Sequence, residues 1–215
     1  MRSLIFITFV ISAIITSCSE KKPETVIKKD STEIMTIKKD TTLIVKKEMK
    51  TKSGKIYTIV ESKPGYSLSN FYISGSGFKN SHDTLKYPNK NPMTNAVLSD
   101  LDNNGFEEMY VFTKSTGSES FMEIIGVASL NDTSFGEIIV QEITTEDVEK
   151  NEKFNGYMGH DSVYISGKKI FREFPVYKSS SSGTDSTDGR RRIIYMLKTE
   201  DNNYQLYVTG SEEIK

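Results

Sequence analysis

Short runs of mainly apolar residues recur along the last three quarters of the chain, and polar residues separate them. Each run is rich in β-branched and aromatic residues, which is typical of strands that bury one face. The runs that predict strands are 55–60, 71–73, 108–113, 121–128, 137–143, 170–174, 192–197 and 204–209. No amphipathic stretch of helical length lies between them.

Turn chemistry separates these runs. The turn signals are Lys63-Pro64-Gly65, Asn103-Asn104-Gly105, Leu130-Asn131-Asp132 and Asp201-Asn202-Asn203. Gly, Asn and Asp adopt the backbone conformations that tight hairpins need. The pattern predicts an all-β domain, an antiparallel β-sandwich or barrel-like fold, over residues 56–215. Residues 179–189, rich in Ser, Gly and Asp, predict a long exposed loop joining two strands.

The first 17 residues follow the pattern of an export signal. Arg2 supplies one positive charge, and residues 4–15 are almost wholly apolar. This run is too short for a membrane-spanning helix, which needs roughly 20 residues. Next comes Ile15-Thr16-Ser17-Cys18, which resembles the lipobox read by bacterial lipoprotein signal peptidase. The sequence therefore predicts a signal peptide over 1–17 and a lipidated Cys18; the alternative is an ordinary cleaved signal that happens to end in a cysteine.

A lipid on Cys18 predicts attachment to a membrane of the bacterial cell envelope, with the outer membrane favoured and the periplasmic or surface face left open. Several acyl chains hold a protein on a membrane essentially permanently. Because Cys18 is the only cysteine, no intramolecular disulfide can form.

Residues 18–55 differ in composition from the rest. Between residues 19 and 55 there are 11 Lys against 6 Asp and Glu, a net charge of +5, and aromatic residues are absent. High charge with few aromatics is typical of segments that form no core. We interpret 18–55 as a Lys-rich flexible tether. The alternative is an edge strand, because Leu43-Ile44-Val45 could pair with a sheet.

Charge and residue inventory argue against an enzyme and against nucleic-acid binding. Residues 56–215 carry 16 Lys and Arg against 23 Asp and Glu, a net charge of −7, which repels phosphates despite the short basic run Arg190-Arg191-Arg192. The two histidines, His82 and His160, lie in loop-like contexts without zinc spacing or a nucleophile motif. Glu107 and Glu108 alternate across a strand and cannot share a site.

One segment resembles the start of a calcium loop. Asp100, Asp102 and Asn104 place oxygen donors at positions 1, 3 and 5, and a glycine follows at position 6. The bidentate glutamate of an EF-hand is missing because position 12 is Val111, although Glu108 at position 9 could serve in a shorter loop. Turns rich in Asp and Asn need no ion. The sequence therefore predicts no required cofactor and a small effect of calcium on stability.

The segment 97–121, from the Asp100-Leu101-Asp102 turn to the aromatic Phe121, resembles the central region of the periplasmic inhibitors of invertebrate-type (I-type) lysozyme. In that family an Asp-Leu-Asp-x-Asn-Gly turn leads into a strand, and the strand runs into a Ser/Gly loop closed by an aromatic residue. Weaker likeness extends over most of 56–208, at 61–62, 69–73, 174–177 and 188–191.

The resemblance implies that a rigid hairpin loop blocks the lysozyme cleft by hydrogen bonding to its two catalytic carboxylates. The implied lysozyme-binding residues are Gly117, Ser118, Glu119, Ser120 and Phe121. Two of them depart from the family, since Glu119 stands where Gly is usual and Phe121 where Tyr is usual. Glu119 would be unfavourable inside a cleft lined by carboxylates, but outside it could contact a basic lysozyme rim.

Three hypotheses follow. The first is a membrane-anchored lysozyme inhibitor. The second is a non-enzymatic β-sandwich module that binds a protein or a glycan and is stabilised by calcium. The third is a family member that has lost inhibition and only scaffolds an envelope complex. The sequence leaves open whether the protein forms a homodimer.

Changing Cys18→Ser tests the predicted anchor. Without the thiol no lipid can be attached, so we expect the variant to leave the membrane fraction and to lose acyl labelling. Fractionation of cells grown with a labelled fatty acid measures both. A serine variant that stays acylated and membrane-bound contradicts the assignment.

Overall fold

The computed structural model describes residues 25–27, 33–37, 42–80, 83–150, 152–180, 183–200 and 203–214. The predicted signal peptide, Cys18 and His82 lie outside these residues. The described elements are β1 Thr25–Ile27, β2 Glu33–Ile37, β3 Leu43–Lys50, β4 Ile56–Lys63, β5 Ser69–Ser76, β6 Leu85–Lys90, β7 Met93–Ser99, β8 Glu108–Lys114, β9 Met122–Leu130, β10 Ser134–Val140, α1 Thr145–Lys150, β11 Ser162–Ser166, β12 Lys169–Ser180, β13 Gly183–Glu200 and β14 Asn203–Ile214. The all-β prediction is confirmed.

The strands form two sheets. The first has six strands in sequence order, β1 to β6, each antiparallel to the next. The second has eight strands in the order β11-β12-β13-β14-β10-β9-β8-β7. Its one parallel pair among the described strands is β10 with β14, which departs from the antiparallel prediction. The parallel pair joins two antiparallel groups, β7–β10 and β11–β14, into one curled sheet.

Two hydrophobic cores lie on opposite faces of β8 and β9. Tyr110 and Phe112 face a core shared with β11–β14. Met109 and Val111, one residue out of phase, face a core shared with the six-stranded sheet. Side chains alternate between the faces of a strand, so β8 reads as a nearly continuous buried run because both of its faces are covered.

The predicted boundary of the tether at residue 55 does not coincide with the start of the sheet. Residues 43–50 form β3, which pairs with β4 along its whole length, and Val45 is buried. The alternative prediction, that Leu43-Ile44-Val45 pairs with a sheet, matches this strand. Net positive charge did not prevent pairing, because Lys46 and Lys47 remain partly exposed while Val45 points inward.

The predicted long loop over 179–189 is wrong. β12 continues to Ser180 and β13 starts at Gly183, and their pairing includes Tyr177 with Ser186 and Lys178 with Asp185. Ser, Gly and Asp read as turn residues in isolation. A two-stranded ribbon needs backbone hydrogen bonds but no apolar face, so these residues extend the hairpin.

Three strands of the main sheets carry weak sequence signals. β6, β7 and β11 contain Pro, Asn, Lys or Ser and bury few side chains, so their apolar periodicity is poor. Among the described residues, no helix is long and apolar enough to cross a membrane.

The buried position of Val45 predicts that β3 contributes to stability. Val45→Ala removes two buried methyl-sized groups and leaves a cavity, and we expect a loss of about 2 kcal/mol in the free energy of unfolding. Ile44→Ala, on the other face of the same strand and half-buried, is the control and should cost less. Denaturant unfolding measures both. Equal and negligible losses would show that β3 is dispensable, as a tether would be.

Candidate functional site

The predicted lysozyme-binding residues form the connection between β8 and β9. The Ser115 N–H donates to the Phe121 carbonyl at 2.8 Å, and the Phe121 N–H donates to Ser115 Oγ at 2.9 Å. Within this closure the Ser120 N–H donates to the Gly117 carbonyl at 3.2 Å. The connection is therefore a hydrogen-bonded hairpin loop.

Residues 116–119, which we call the loop tip, are exposed to solvent. Within the described part of the chain, the N–H groups of Gly117, Ser118 and Glu119 form no hydrogen bond, and neither does the Ser118 hydroxyl. A Cβ added at Gly117 would meet no atom within 4 Å. The fold does not require glycine here, and the tip offers several free donors.

Phe121 lies apart from the tip. Its ring packs against the Tyr157 ring with centroids 5.8 Å apart, and it borders the core shared with β11–β14. Phe121 therefore anchors the end of the loop to the core and is not part of the surface that the tip presents.

The segment 157–161 holds the loop from the side. The His160 N–H donates to the Glu119 carbonyl at 2.6 Å. Gly159 has φ +81°, and a Cβ there would overlap the Glu119 carbonyl. Glycine is thus required at 159 for close backbone approach, and the Glu119 side chain stays exposed while its carbonyl is fixed.

A buried polar network fixes Met122, the first residue of β9, where the loop ends. The Met122 N–H donates to Asp161 Oδ1 at 2.9 Å, and Arg172 Nη1 donates to the Met122 carbonyl at 2.9 Å. Arg172 also forms an ion pair with Asp161, and Tyr157 Oη donates to Asp161 Oδ2 at 2.9 Å. Both charges are buried and well bonded, which is the condition under which a buried ion pair is tolerated.

Sequence reasoning missed this network. One signal was available: Arg172 occupies the inward-facing position between Ile170 and Phe174 in a strand whose other inward residues are apolar. A charge on the core face of a strand indicates a buried partner. Asp161 carried no comparable signal, since it precedes a strand that sequence did not predict.

The residues of the predicted calcium loop lie at the other end of β8. The carboxylate oxygens of Asp100, Asp102 and Glu108, the acidic cluster, all lie within 4.8 Å of one another. Asn104 is engaged in the turn itself: its N–H donates to both aspartates and its Oδ1 accepts from the Phe106 N–H at 2.7 Å. Three of the four predicted ligands therefore converge.

Glu108 is fully buried within this cluster. Its Oε2 accepts from the Leu101 N–H at 2.8 Å and from Tyr110 Oη at 3.4 Å. Its Oε1 is buried and has no hydrogen-bond partner among the described residues. Burial raises the pKa of Glu108 to about 8; the Leu101 hydrogen bond opposes this rise, and the negative charges of Asp102 and Asp100 add to it.

The neighbouring Glu107 takes no part in the cluster. It pairs with Lys52, accepting from the Lys52 N–H at 2.7 Å and lying 3.2 Å from the Lys52 ammonium. The prediction that Glu107 and Glu108 serve different sites matches this placement.

The other candidate residues within the described ranges, His160 and the basic run at 190–192, do not come together in a site. His160 is exposed, with its ring 6.0 Å from that of Tyr177. In the basic run, Arg192 pairs with Glu173 and Glu212, and Arg191 bonds the carbonyls of Glu152 and Asn155.

The raised pKa of Glu108 predicts a pH-dependent stability in buffer without divalent cations. The folded state holds the proton more tightly than the unfolded state, whose carboxyl has an ordinary pKa near 4.5. The contribution of Glu108 is therefore fully present below pH 4.5 and is lost as pH rises to about 8. The slope is at most about 1.4 kcal/mol per pH unit.

Glu108→Gln should remove this dependence, because glutamine does not titrate. We expect the variant to match the wild type at the acidic end and to become the more stable protein as pH rises. Denaturant unfolding from pH 4.5 to pH 8.5 measures the difference. Parallel curves for the two proteins would contradict the shifted pKa.

Comparison with protein-family models, with curated proteins and with solved structures finds no match for this chain. The resemblance to the I-type lysozyme inhibitors stays a prediction from residues 97–121. The function is accordingly inferred from the loop and the contacts that hold it.

Proposed function

We propose that this protein is a non-catalytic, membrane-anchored lipoprotein that inhibits a lysozyme by placing the loop tip in the enzyme's active-site cleft. The observation that carries the proposal is the set of unused donors on the tip. The N–H groups of Gly117, Ser118 and Glu119 and the Ser118 hydroxyl face solvent on a loop whose base is fixed.

The spacing of these donors suits a pair of carboxylates. The donors lie on three consecutive residues, and the turn that Ser120 and Gly117 close keeps them nearer to one another than the about 7 Å that two residues span in an extended chain. The catalytic carboxylates of glycoside hydrolases stand about 5–9.5 Å apart. A tip of this size can therefore engage both carboxylates at once. Hydrogen bonds to ionised groups are also stronger than neutral ones.

The fixed base lowers the cost of binding. His160 holds the Glu119 carbonyl, and the Arg172–Asp161 pair holds both backbone groups of Met122. A loop that is already ordered loses less conformational entropy when it enters a cleft. Phe121 and Gly159 therefore favour binding by keeping the loop ordered, and the donors favour it by contacting the enzyme.

The charge of the domain supports encounter with a basic enzyme. Residues 56–215 carry a net charge of −7, and opposite charges accelerate association. The exposed Glu119 side chain belongs at the rim of the contact, where a carboxylate can meet basic residues, because inside the cleft it would be repelled.

A cavity beside the loop favours a second candidate, a module that binds a glycan. It has a volume of about 340 Å³ and is lined by Phe121, Ile124, Ile143 and Arg172 among others. This volume lies at the lower end of the range for ligand sites, and the mixture of apolar and charged lining is typical of them. Retention of peptidoglycan fragments without any lysozyme inhibition would favour this candidate.

Two substitutions in the tip test the inhibitor proposal. Ser118→Ala removes one donor to a buried carboxylate and should weaken lysozyme binding by roughly 1–3 kcal/mol. Gly117→Ala should also weaken binding, because its methyl group blocks close approach, although the fold has room for it. Turbidity of lysozyme-treated cell walls and calorimetric titration measure both effects with the purified full-length chain in detergent.

Two further variants sharpen the test. Gly65→Ala places the same methyl group on another exposed turn with open space around it, and should leave binding unchanged. Glu119→Gly should strengthen binding if the whole tip inserts, and should weaken it in a salt-sensitive way if the carboxylate contacts a basic rim. Denaturant unfolding must show that all variants keep wild-type stability. Unchanged affinity across the two tip variants would refute the proposal.

A further inference from the structure

The acidic cluster collects more negative charge than the described residues around it balance. Asp100, Asp102 and Glu108 bring their carboxylate oxygens within 4.8 Å of one another. Among the described residues, Lys168 forms an ion pair with the cluster: its ammonium lies 3.6 Å from Asp100 Oδ2, and half of the Lys168 side chain is exposed. Lys168 also donates to the Asp100 carbonyl, at the edge of the cluster.

The orphaned oxygen of Glu108 is an independent indication of a ligand. Glu108 is fully buried, and its Oε1 is shielded from solvent and accepts no hydrogen bond from any residue that the structure describes. Buried polar atoms are almost always bonded in folded proteins, and an exception indicates a missing water or ion. Here the carboxylate that lacks a partner belongs to the same cluster as two other carboxylates.

We propose that Asp100, Asp102 and Glu108 together bind a Ca²⁺ ion. All of the donors are oxygen atoms, which hard cations such as Ca²⁺ prefer. Structural zinc sites use mainly nitrogen and sulfur ligands. Calcium takes six to eight oxygen ligands. Three carboxylates supply part of this shell, and water on the exposed side of Asp102 and Asp100 completes it.

The ion would lie beside a contact between parts of the fold that are distant in sequence. Asp100 and Asp102 belong to the loop between β7 and β8, whereas Glu108 begins β8 inside the core. Asp102 also accepts a hydrogen bond from Thr199 Oγ1 of β13 at 2.9 Å. Calcium would therefore fasten the two halves of the curled eight-stranded sheet at the end of β8 opposite the loop tip.

The structure changes the expectation drawn from sequence. Val111 at position 12 removes the closing carboxylate of an EF-hand, which left Glu108 at position 9 as the alternative ligand and predicted a small effect of calcium. The strand instead turns Glu108, at position 9, toward the core and onto the two aspartates. The inference goes beyond the proposed function, because it concerns a different end of β8 and a different ligand.

Calcium titration of the chelator-treated, full-length chain in detergent tests the site. Calorimetry should show one Ca²⁺ bound per chain at this site. With calcium at about 100 times its dissociation constant, the melting temperature should rise by about 5–10 °C. Glu108→Gln keeps the shape of the side chain but removes the charge, and should lower the calcium affinity at least about tenfold.

Glu107→Gln is the matched control. It makes the same chemical change one residue away, at a carboxylate that pairs with Lys52 outside the cluster, and should keep wild-type calcium affinity. If Glu108→Gln does not fold, Asp102→Asn replaces it, with the same loss expected. Absence of calcium binding in the wild-type chain, or equal binding by the cluster variant and the control, overturns the proposal.

Lysozyme inhibition distinguishes this proposal from the previous one. The loop tip and the acidic cluster lie at opposite ends of a seven-residue strand. Inhibition assayed well below the melting temperature should therefore be unaffected by chelator. Calcium binding without inhibition would refute the function alone, and inhibition without calcium binding would refute the metal site alone.

Discussion

The burial of both faces of β8 is the constraint on which the rest of the structure depends. Its alternate residues serve two separate cores, with Tyr110 and Phe112 on one side and Met109 and Val111 on the other. The curl of the eight-stranded sheet covers one face, and the six-stranded sheet covers the other. Removing either cover would expose a row of large apolar side chains to water.

This double burial also places the two candidate sites. A strand of seven residues spans about 20 Å. At one end its first residue, Glu108, lies in the core beside Asp100 and Asp102. At the other end it leads through Lys114 into the loop that ends in the exposed tip. Because the strand between them cannot shift without disrupting two cores, both sites rest on a rigid support.

The two sites differ in whether their buried charged groups have partners. Beneath the loop, Asp161 is matched by Arg172 and by Tyr157, so each charge meets a partner inside the core. At the acidic cluster, one oxygen of Glu108 has no hydrogen-bond partner in the described part of the chain. A satisfied network makes the loop base rigid by itself, whereas an unsatisfied carboxylate leaves a place for an ion. This contrast is why we assign protein binding to one end and metal binding to the other.

Local sequence was enough to predict the all-β class and strands such as β4, β8 and β9, because runs of β-branched and aromatic residues are a local signal. It also placed the turn of Asp100, Asp102 and Asn104 and the loop of Gly117 and Ser118, since turn chemistry is local as well. Tertiary structure alone decided that residues 43–50, 179–180 and 183–189 join sheets, because backbone pairing depends on a neighbouring strand. It alone brought Arg172 to Met122, 50 positions away in the chain, and it alone buried Glu108 beside the aspartates, because such burial depends on both cores closing around β8.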